Sequence, residues 1–412
     1  MARLLITNAR VVGAAGPGAR RGAALRELQV SPSADVVIDN GVIAAIHAGG
    51  EAKSPVTAPQ TIDARGRVLC PAFIDCHTHA LWAGSRIDEW ERKLVGATYL
   101  DILAAGGGIM STVRAVRAAS EESLTATLRD RAGTWFARGG TLTAEVKSGY
   151  GLSTETELRM LRAIRAAAGT GVGSVTLAPT ALLGHALDPD VDAETFVRRT
   201  IEETLPAVHG EFPGIVIDAY CETGAWSLSQ TVALLERATA LSHPLRVHAD
   251  QFNSLGMVRE AIRLGAQSVD HLEASTDADL DALAESQTFG VVLPICGMHL
   301  DGRYARARRF VEAGGTLALA TNCNPGSAPS ASMPLAIALA VRHCGLTPAE
   351  AINAGTVNAA AVLGFADRGF IAPGARADLI LLRHTDERSL AHELGGNPVD
   401  YVIAQGRVLH GS

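Results

Sequence analysis

The stretch Asp75-Cys76-His77-Thr78-His79 decides how the chain is read. It closes an apolar run, and side chains two apart on a strand share a face, so His77 and His79 project together and Asp75 can join them. Further along, His248, His271 and the segment Ala320-Thr321-Asn322-Cys323-Asn324-Pro325-Gly326 close other apolar runs at strand-like intervals. From about Gly66 to Gly345 strand-like and helix-like runs alternate, the pattern of a parallel sheet with crossover helices. The candidate strands end near His79, Lys147, Thr180, Cys221, Asp250, Glu273, Ile295 and Asn322, and those eight are the number that closes a (β/α)8 TIM barrel in an α/β fold. The histidines and Asn322 then gather at the C-terminal ends of the strands, where barrel enzymes carry their chemistry.

The segments between the strands have helical spacing. In Thr154-Glu155-Thr156-Glu157 a threonine stands three residues before a glutamate, ahead of Leu158, Leu161 and Ile164, which predicts a capping box opening an amphipathic helix. Residues 228–240, 255–264 and 333–344 carry similar apolar spacing. The flanks differ in character. Before about Asp63 lie short alternating strands with an Asn40-Gly41 hairpin signal between Val36-Val37-Ile38 and Val42-Ile43. After about Asp367 the style returns, in residues 377–382, in Tyr401-Val402-Ile403 and in a Gln405-Gly406 turn into Arg407-Val408-Leu409. Neither flank can bury a core alone, so residues 1–65 and 367–412 are expected to pair in one small β-sandwich domain beside a barrel of residues 66–366. Residues 13–24, rich in Gly, Ala and Arg, read as a mobile surface loop.

Of the 412 residues, 47% are hydrophobic, 19% charged and 4% aromatic, so a large aliphatic core is available and wholesale disorder is disfavoured. A net charge of −7 gives no electrostatic reason to expect nucleic acid or an anionic membrane as partner. No apolar run is long enough to span a bilayer, and Met1 to Asn8 carry no signal-peptide pattern. Six cysteines (Cys70, Cys76, Cys221, Cys296, Cys323, Cys344) are scattered without a Cys-x-x-Cys pair. That argues for reduced, buried thiols in the cytoplasm and against disulfides or a zinc–thiolate site.

A lone His-x-His is a weak signal, since two histidines near a turn are common at surfaces. Four histidines at one end of one barrel are harder to read as structural. Neutral imidazoles in that number suit one divalent metal, zinc first and iron second. Catalysis needs about three protein ligands and an open position for water.

Several stretches are more particular than the metal motif: Asp75-Cys76-His77-Thr78-His79, Gly84-Ser85-Arg86, Gly106-Gly107-Gly108-Ile109, Glu145-Val146-Lys147-Ser148-Gly149-Tyr150-Gly151, His248-Ala249-Asp250, Asp270-His271-Leu272 and Asn324-Pro325-Gly326-Ser327. On these the chain resembles the amidohydrolase superfamily and, within it, the imidazolonepropionase family, over nearly its whole length. The resemblance implies a metal-dependent hydrolase that opens 4-imidazolone-5-propanoate to N-formimino-L-glutamate in histidine breakdown. It implies metal binding by His77, His79 and His248, with Asn322 at the fourth ligand position, and His271 orienting or polarising water and the substrate carbonyl. Arg86, Tyr150 and His185 would hold the imidazolone and its carboxylate tail, and Asn324, Gly326 and Ser327 would line the far side of the pocket. An arginine fork suits a carboxylate, yet read alone Arg86 is better explained by a surface ion pair with Glu89 or Glu91. Tyr150 could equally be loop packing, and His185 an ordinary loop histidine.

The chain departs from the family pattern at two positions. Where the family reading implies a carboxylate, Asn322 offers a carbonyl oxygen and cannot accept a proton at neutral pH. Three readings stay open: a variant made to trap substrate or metal, a natural impaired or repurposed relative, or an enzyme in which His271 becomes the base. Gln251 stands where superfamily deaminases carry Glu. Its amide can hold a ring nitrogen but not shuttle a proton, which counts against deamination. The fourth strand, residues 215–222, has no lysine to bridge two metals, so one metal is expected, although Glu222 could in principle bridge; Lys147 reads as structural or pocket-lining. A hydrolase of another cyclic amide or amidine, and a non-catalytic binding form, are the alternatives. A homodimer is expected from similar enzymes alone.

Overall fold

The computed structural model describes residues 3–49, 58–96, 107–168 and 175–411. Among the described residues, sixteen strands form two sheets. β1 (Leu4–Gly13), β2 (Gln29–Asp39), β3 (Val42–Ala48), β4 (Gln60–Asp63) and β5 (Val68–Pro71) open the chain. β6 (Phe73–Asp75), β7 (Thr141–Lys147), β8 (Thr176–Gly184), β9 (Val216–Cys221), β10 (Leu245–Ala249), β11 (Ser268–His271), β12 (Phe289–Val292) and β13 (Leu317–Leu319) follow. β14 (Leu379–Leu382), β15 (Val399–Ala404) and β16 (Arg407–His410) end it.

β6 to β13 pair in chain order, all parallel, as the alternation of strands and helices predicts. The barrel closes just beyond its two shortest strands. His79 N–H donates to Cys323 O at 2.9 Å and Asn322 N–H to His77 O at 3.0 Å. Asp75 completes the seam by accepting from the Thr321 amide at 3.1 Å and from the Thr321 hydroxyl. Its carboxylate thus joins the first strand to the last instead of standing beside the histidines. Four strand ends differ from expectation: β6 stops at Asp75, short of His79, and β13 at Leu319, short of Asn322, so both site segments lie just past their strands. β12 stops at Val292 because Pro294 opens the short helix Pro294–His299. β8 runs on to Gly184, past Thr180, which carries His185 to the barrel rim.

The other strands build the second domain from both ends of the chain, in the order β16-β15-β14-β5-β1-β2-β3 with β4 also beside β1. The sheet is continuous and rolled on itself around Leu4, Ile6, Val36, Ile38, Leu379, Leu381 and Ile403, all buried. Its two turns meet: Ala377 N–H donates to Gly41 O at 2.9 Å, and Gly406 N–H to Ala377 O at 3.1 Å. Asn40-Gly41 and Gln405-Gly406 all have positive φ (49°, 84°, 47°, 74°), the geometry that tight hairpins demand. β5 pairs with β1 and β14, so the chain passes into the barrel between Pro71 and Phe73.

Residues 13–24 are not a mobile loop. The segment is pinned across the N-terminal end of the barrel, where Asn358 accepts from Arg20 N–H at 2.6 Å and donates to Arg20 O at 2.8 Å and Leu317 O at 2.7 Å. Asn353 likewise donates to Leu25 O and Glu27 O, and Leu25 is fully buried. Composition concealed this because the segment is held through its backbone, by partners more than 300 residues away in sequence.

The helix Leu228–Ala240 opens with a Ser227/Gln230 capping box. The helix Thr154–Ala168 does not use the predicted one. Ser153 accepts from Thr156 N–H at 3.3 Å, and Glu157 turns back to accept from Gly149, Gly151 and Leu152 N–H groups at 2.8, 2.7 and 3.0 Å. Three amides in a tight loop outcompete one at the helix start.

Candidate metal centre and substrate pocket

His77 and His79 follow β6, His248 lies in β10 and His271 ends β11, so all four rings reach one end of the barrel axis. Ring centroids of His77 and His248 are 4.5 Å apart, those of His79 and His248 5.3 Å, and those of His77 and His79 5.4 Å. Each of the three offers a ring nitrogen within 4.8 Å of the others'. His77 Nδ1 lies 2.6 Å from Asp270 Oδ2, and His248 Nδ1 3.1 Å from Asp218 Oδ1. A carboxylate there keeps the proton on Nδ1 and leaves Nε2 free to ligate. His77 Nε2 and Asn322 Oδ1 are buried with no partner, and Nε2 of His79 and His248 face each other at 3.3 Å. Buried lone pairs without donors are costly. Three imidazoles make a donor set that fits a divalent ion, and the unpartnered Asn322 oxygen, at the strand end beside His77, is the candidate for a fourth. Burial, then Lys147 for one ring and His185 for the other, holds His77 and His79 well below the ordinary imidazole value. Burial also lowers His248, against the pull of Asp218. The rings are neutral, as ligands must be.

Beneath this cluster the barrel is filled with charge. Lys147 Nζ donates to the Glu145 carboxylate at 2.9 Å and to Asp218 at 2.7 Å. Arg246 donates to Glu145, Asp270 and the Cys76 carbonyl, each at 2.7 Å. All of these side chains are essentially sealed from solvent. Burial opposes the ionised form of Asp218, yet His248 and Lys147 hold it well below the ordinary carboxylate value. Lys147 is thus structural: it fixes the carboxylate that fixes His248. Glu222 has its carboxylate engaged away from the histidine cluster. It accepts from Phe252 and Asn253 N–H at 2.8 and 3.2 Å and shapes the loop after β10.

The pocket walls bring together residues distant in sequence. Tyr150 lies 6.0 Å from His79 and 5.1 Å from His185, centroid to centroid, and His185 stacks on His79 at 5.1 Å. His185 Nδ1 donates to Gly149 O at 2.8 Å, and burial with His248 nearby pushes its pKa down to about 4. The Glu157 anchor, together with positive φ at Gly149 (103°) and Leu152 (51°), forms the loop that aims Tyr150. Arg86 donates to Glu89 at 2.6 Å, so the ion pair weighed from sequence is present. Its guanidinium also lies over Gly326, where a side-chain carbon would come within 3.1 Å of Nη1. Asn324 is occupied within its own loop: it donates to Asn322 O and Ser327 Oγ and accepts from Gly326 and Ser327 N–H, at 2.7 to 2.8 Å. It builds the wall and has no donor left for a ligand. Gln251 accepts from Tyr220 OH at 2.8 Å and faces Cys296 Sγ at 3.4 Å. Gly106 lies outside the described residues.

Asn322 has φ 61°, a left-handed value that Asn and Asp both tolerate, so a carboxylate would fit the same backbone. His271 has φ 91°, and its Nδ1 sits 3.2 Å from Glu273. Sequence reasoning passed over Asp218, Asp270 and Glu273. The period-2 pattern that revealed the histidines marks none of them, because Asp218 acts from the strand beside His248, Asp270 from a strand that does not neighbour that of His77, and Glu273 from the loop beyond β11.

Residues 68–409 match the amidohydrolase family model. The imidazolonepropionase of Herpetosiphon aurantiacus is 45% identical over 418 residues, covering 98% of this chain and 96% of its own. That of Deinococcus radiodurans is 43% identical over 409 residues, covering 99% and 100%. A 5-methylcytosine deaminase structure from Klebsiella pneumoniae superposes with a TM-score of 0.75 at 17% identity, covering 99% of this chain and 97% of that one, a likeness of fold. The chain belongs to the amidohydrolase family, a family of metal-dependent hydrolases, and within it to the imidazolonepropionases.

Proposed function

We propose that the chain hydrolyses the ring amide C–N bond of 4-imidazolone-5-propanoate, adding one water to give N-formimino-L-glutamate. What supports this beyond the relatives' name is that Tyr150 and His185, which lie outside the shared metal motif, stand directly against ligand histidine His79. A site built only to hold a metal needs neither. His77, His79, His248 and the Asn322 carbonyl hold one divalent ion, zinc before iron by the predominance of imidazole. When bound, the ion polarises the ring carbonyl and makes water nucleophilic at neutral pH.

The chain's own residues do the rest. Arg86, at the Gly326 loop, receives the propionate carboxylate, and the Tyr150 hydroxyl donates to the substrate. His185, its Nδ1 hydrogen spent on Gly149 O, presents Nε2 as acceptor to a ring N–H. Gly326 and Ser327 close the far wall, and Gln251 offers an amide edge to the heterocycle. His271, backed by Glu273, takes the proton from the attacking water and returns it to the departing ring nitrogen. The surroundings are cytoplasmic, consistent with six free, buried cysteines.

Asn322 sets the rate. The decisive experiment measures substrate hydrolysis by the metal-loaded chain beside its Asn322→Asp variant. The Asp form is expected to be faster by roughly two to four orders of magnitude, the usual worth of a positioned base. Equal rates would make His271 a sufficient base. No turnover by either form would overturn the substrate assignment.

A further inference from the structure

Beside the histidine cluster lies a second group of potential ligands that the proposed reaction uses only in part. His271, Glu273 and Cys296 each bring a ligand atom within 4.8 Å of the others'. The Glu273 side chain is 5% exposed, and its only ion-pair partner among the described residues is the His271 ring, at a long 3.2 Å. A largely buried carboxylate with no ion pair to lysine or arginine among the described residues is short of positive charge, although Arg303 borders the same cavity. Cys296 Sγ, also buried, meets the Gln251 amide at 3.4 Å. A cavity of about 10 Å³ opens between Glu273 and Cys296, lined also by Gln251 and Arg303, room for a single ion or water.

We propose that His271, Glu273 and Cys296 form a second, weaker cation site that takes a zinc-class divalent ion. The donor chemistry sets the class. One imidazole nitrogen, one carboxylate oxygen and one thiolate suit a borderline-soft ion such as zinc or cobalt(II), whereas magnesium and calcium prefer oxygen alone. Binding replaces the thiol hydrogen, so each ion that enters releases one proton to solvent while sulfur keeps the electron pair. The site was invisible in sequence because its ligands come from the end of β11, the turn just beyond it and a helix start, with no Cys-x-x-Cys spacing to announce it.

The test uses the full chain, stripped of metal and titrated with cobalt(II) without substrate, so it stands apart from the proposed reaction. A first equivalent is expected to fill the three-histidine site. A second, weaker equivalent should bring thiolate-to-cobalt charge-transfer absorption in the near ultraviolet, with release of one proton. Cys296→Ser should keep the first equivalent and lose that absorption, and Cys323→Ser should lose neither. Glu273→Gln, which keeps the side chain's size, should weaken the second equivalent roughly ten- to a hundredfold. Saturation at one equivalent, or thiolate absorption that survives in Cys296→Ser, would overturn the proposal. Should Cys296→Ser fail to fold, unchanged second-site affinity in Glu273→Gln would do so as well.

Discussion

Arg86 shows how one residue can hold two roles. Its Nε is committed to Glu89 at 2.6 Å, while the far edge of the guanidinium lies over Gly326. A fork can serve both because its donors point along different edges. Arg86→Ala should therefore raise KM by about tenfold or more, with metal content unchanged. That contrast, read by steady-state kinetics beside metal analysis, separates a substrate ligand from a surface ion pair; an unchanged KM would return Arg86 to the latter. Legibility at this scale followed chemistry that the backbone period reveals. His77 and His79 were readable because strand geometry puts alternate side chains on one face. Asp270 and Asp218 were not, since a carboxylate that orients a ring from another strand of the barrel leaves no spacing in the chain. Asn322 was readable as a departure, and its φ of 61° now explains why Asn and Asp can share the position.

Elements divide the barrel by its two ends. At the C-terminal end the loop after β7 is tied by Glu157, whose carboxylate gathers three backbone amides though burial raises its pKa. Glu157→Gln leaves one acceptor oxygen and sets an amide group against a backbone donor. It should cost about 1–3 kcal/mol of stability and impair both KM and kcat, because Tyr150 sits on that loop. Wild-type kinetics in a destabilised Glu157→Gln would mean that the loop does not aim Tyr150. At the N-terminal end Asn358 holds residues 13–24 across the barrel floor. Asn358→Ala should also cost about 1–3 kcal/mol, seen as a lowered Tm, while kcat and KM stay as they are. Conventional signals made the helix Leu228–Ala240 and both hairpin turns legible, through apolar spacing and residues at ease with positive φ. The capping box at Thr154–Glu157 misled because the motif records only what a side chain can reach locally. Nearby amides in greater number took the glutamate. The floor segment misled for a related reason: its partners are remote, and its Gly and Ala content describes a flexible chain only when nothing grips it.

At the scale of the whole molecule, the enclosure of the barrel interior controls how its metal site meets protons. The closed seam at Asp75 and Thr321 and the buried Lys147, Arg246, Glu145, Asp218 and Asp270 together pack the barrel interior directly beneath the histidines. Burial is the largest cause holding His77, His79 and His248 below 6.5 in the folded chain. A ring whose folded pKa is depressed is already neutral where an exposed histidine would begin to charge. Protons then compete with metal only at pH values well below 6.5. Zinc affinity of the folded chain should consequently change little between about pH 7.5 and 6, whereas an exposed three-histidine site would weaken steeply there. The unfolded chain behaves oppositely. Its histidines take up protons below about 6.5 while the folded ones do not, so their contribution to stability falls with falling pH across that window. Asp75, pushed up to about 7 by burial, contributes with the opposite sign. The zinc dissociation constant is thus the cleaner measurement, taken by chelator competition at several pH values on chain that circular dichroism shows to be folded. A steep loss of affinity between pH 7.5 and 6 would mean that the rings titrate near 6.5 and that burial does not hold them neutral.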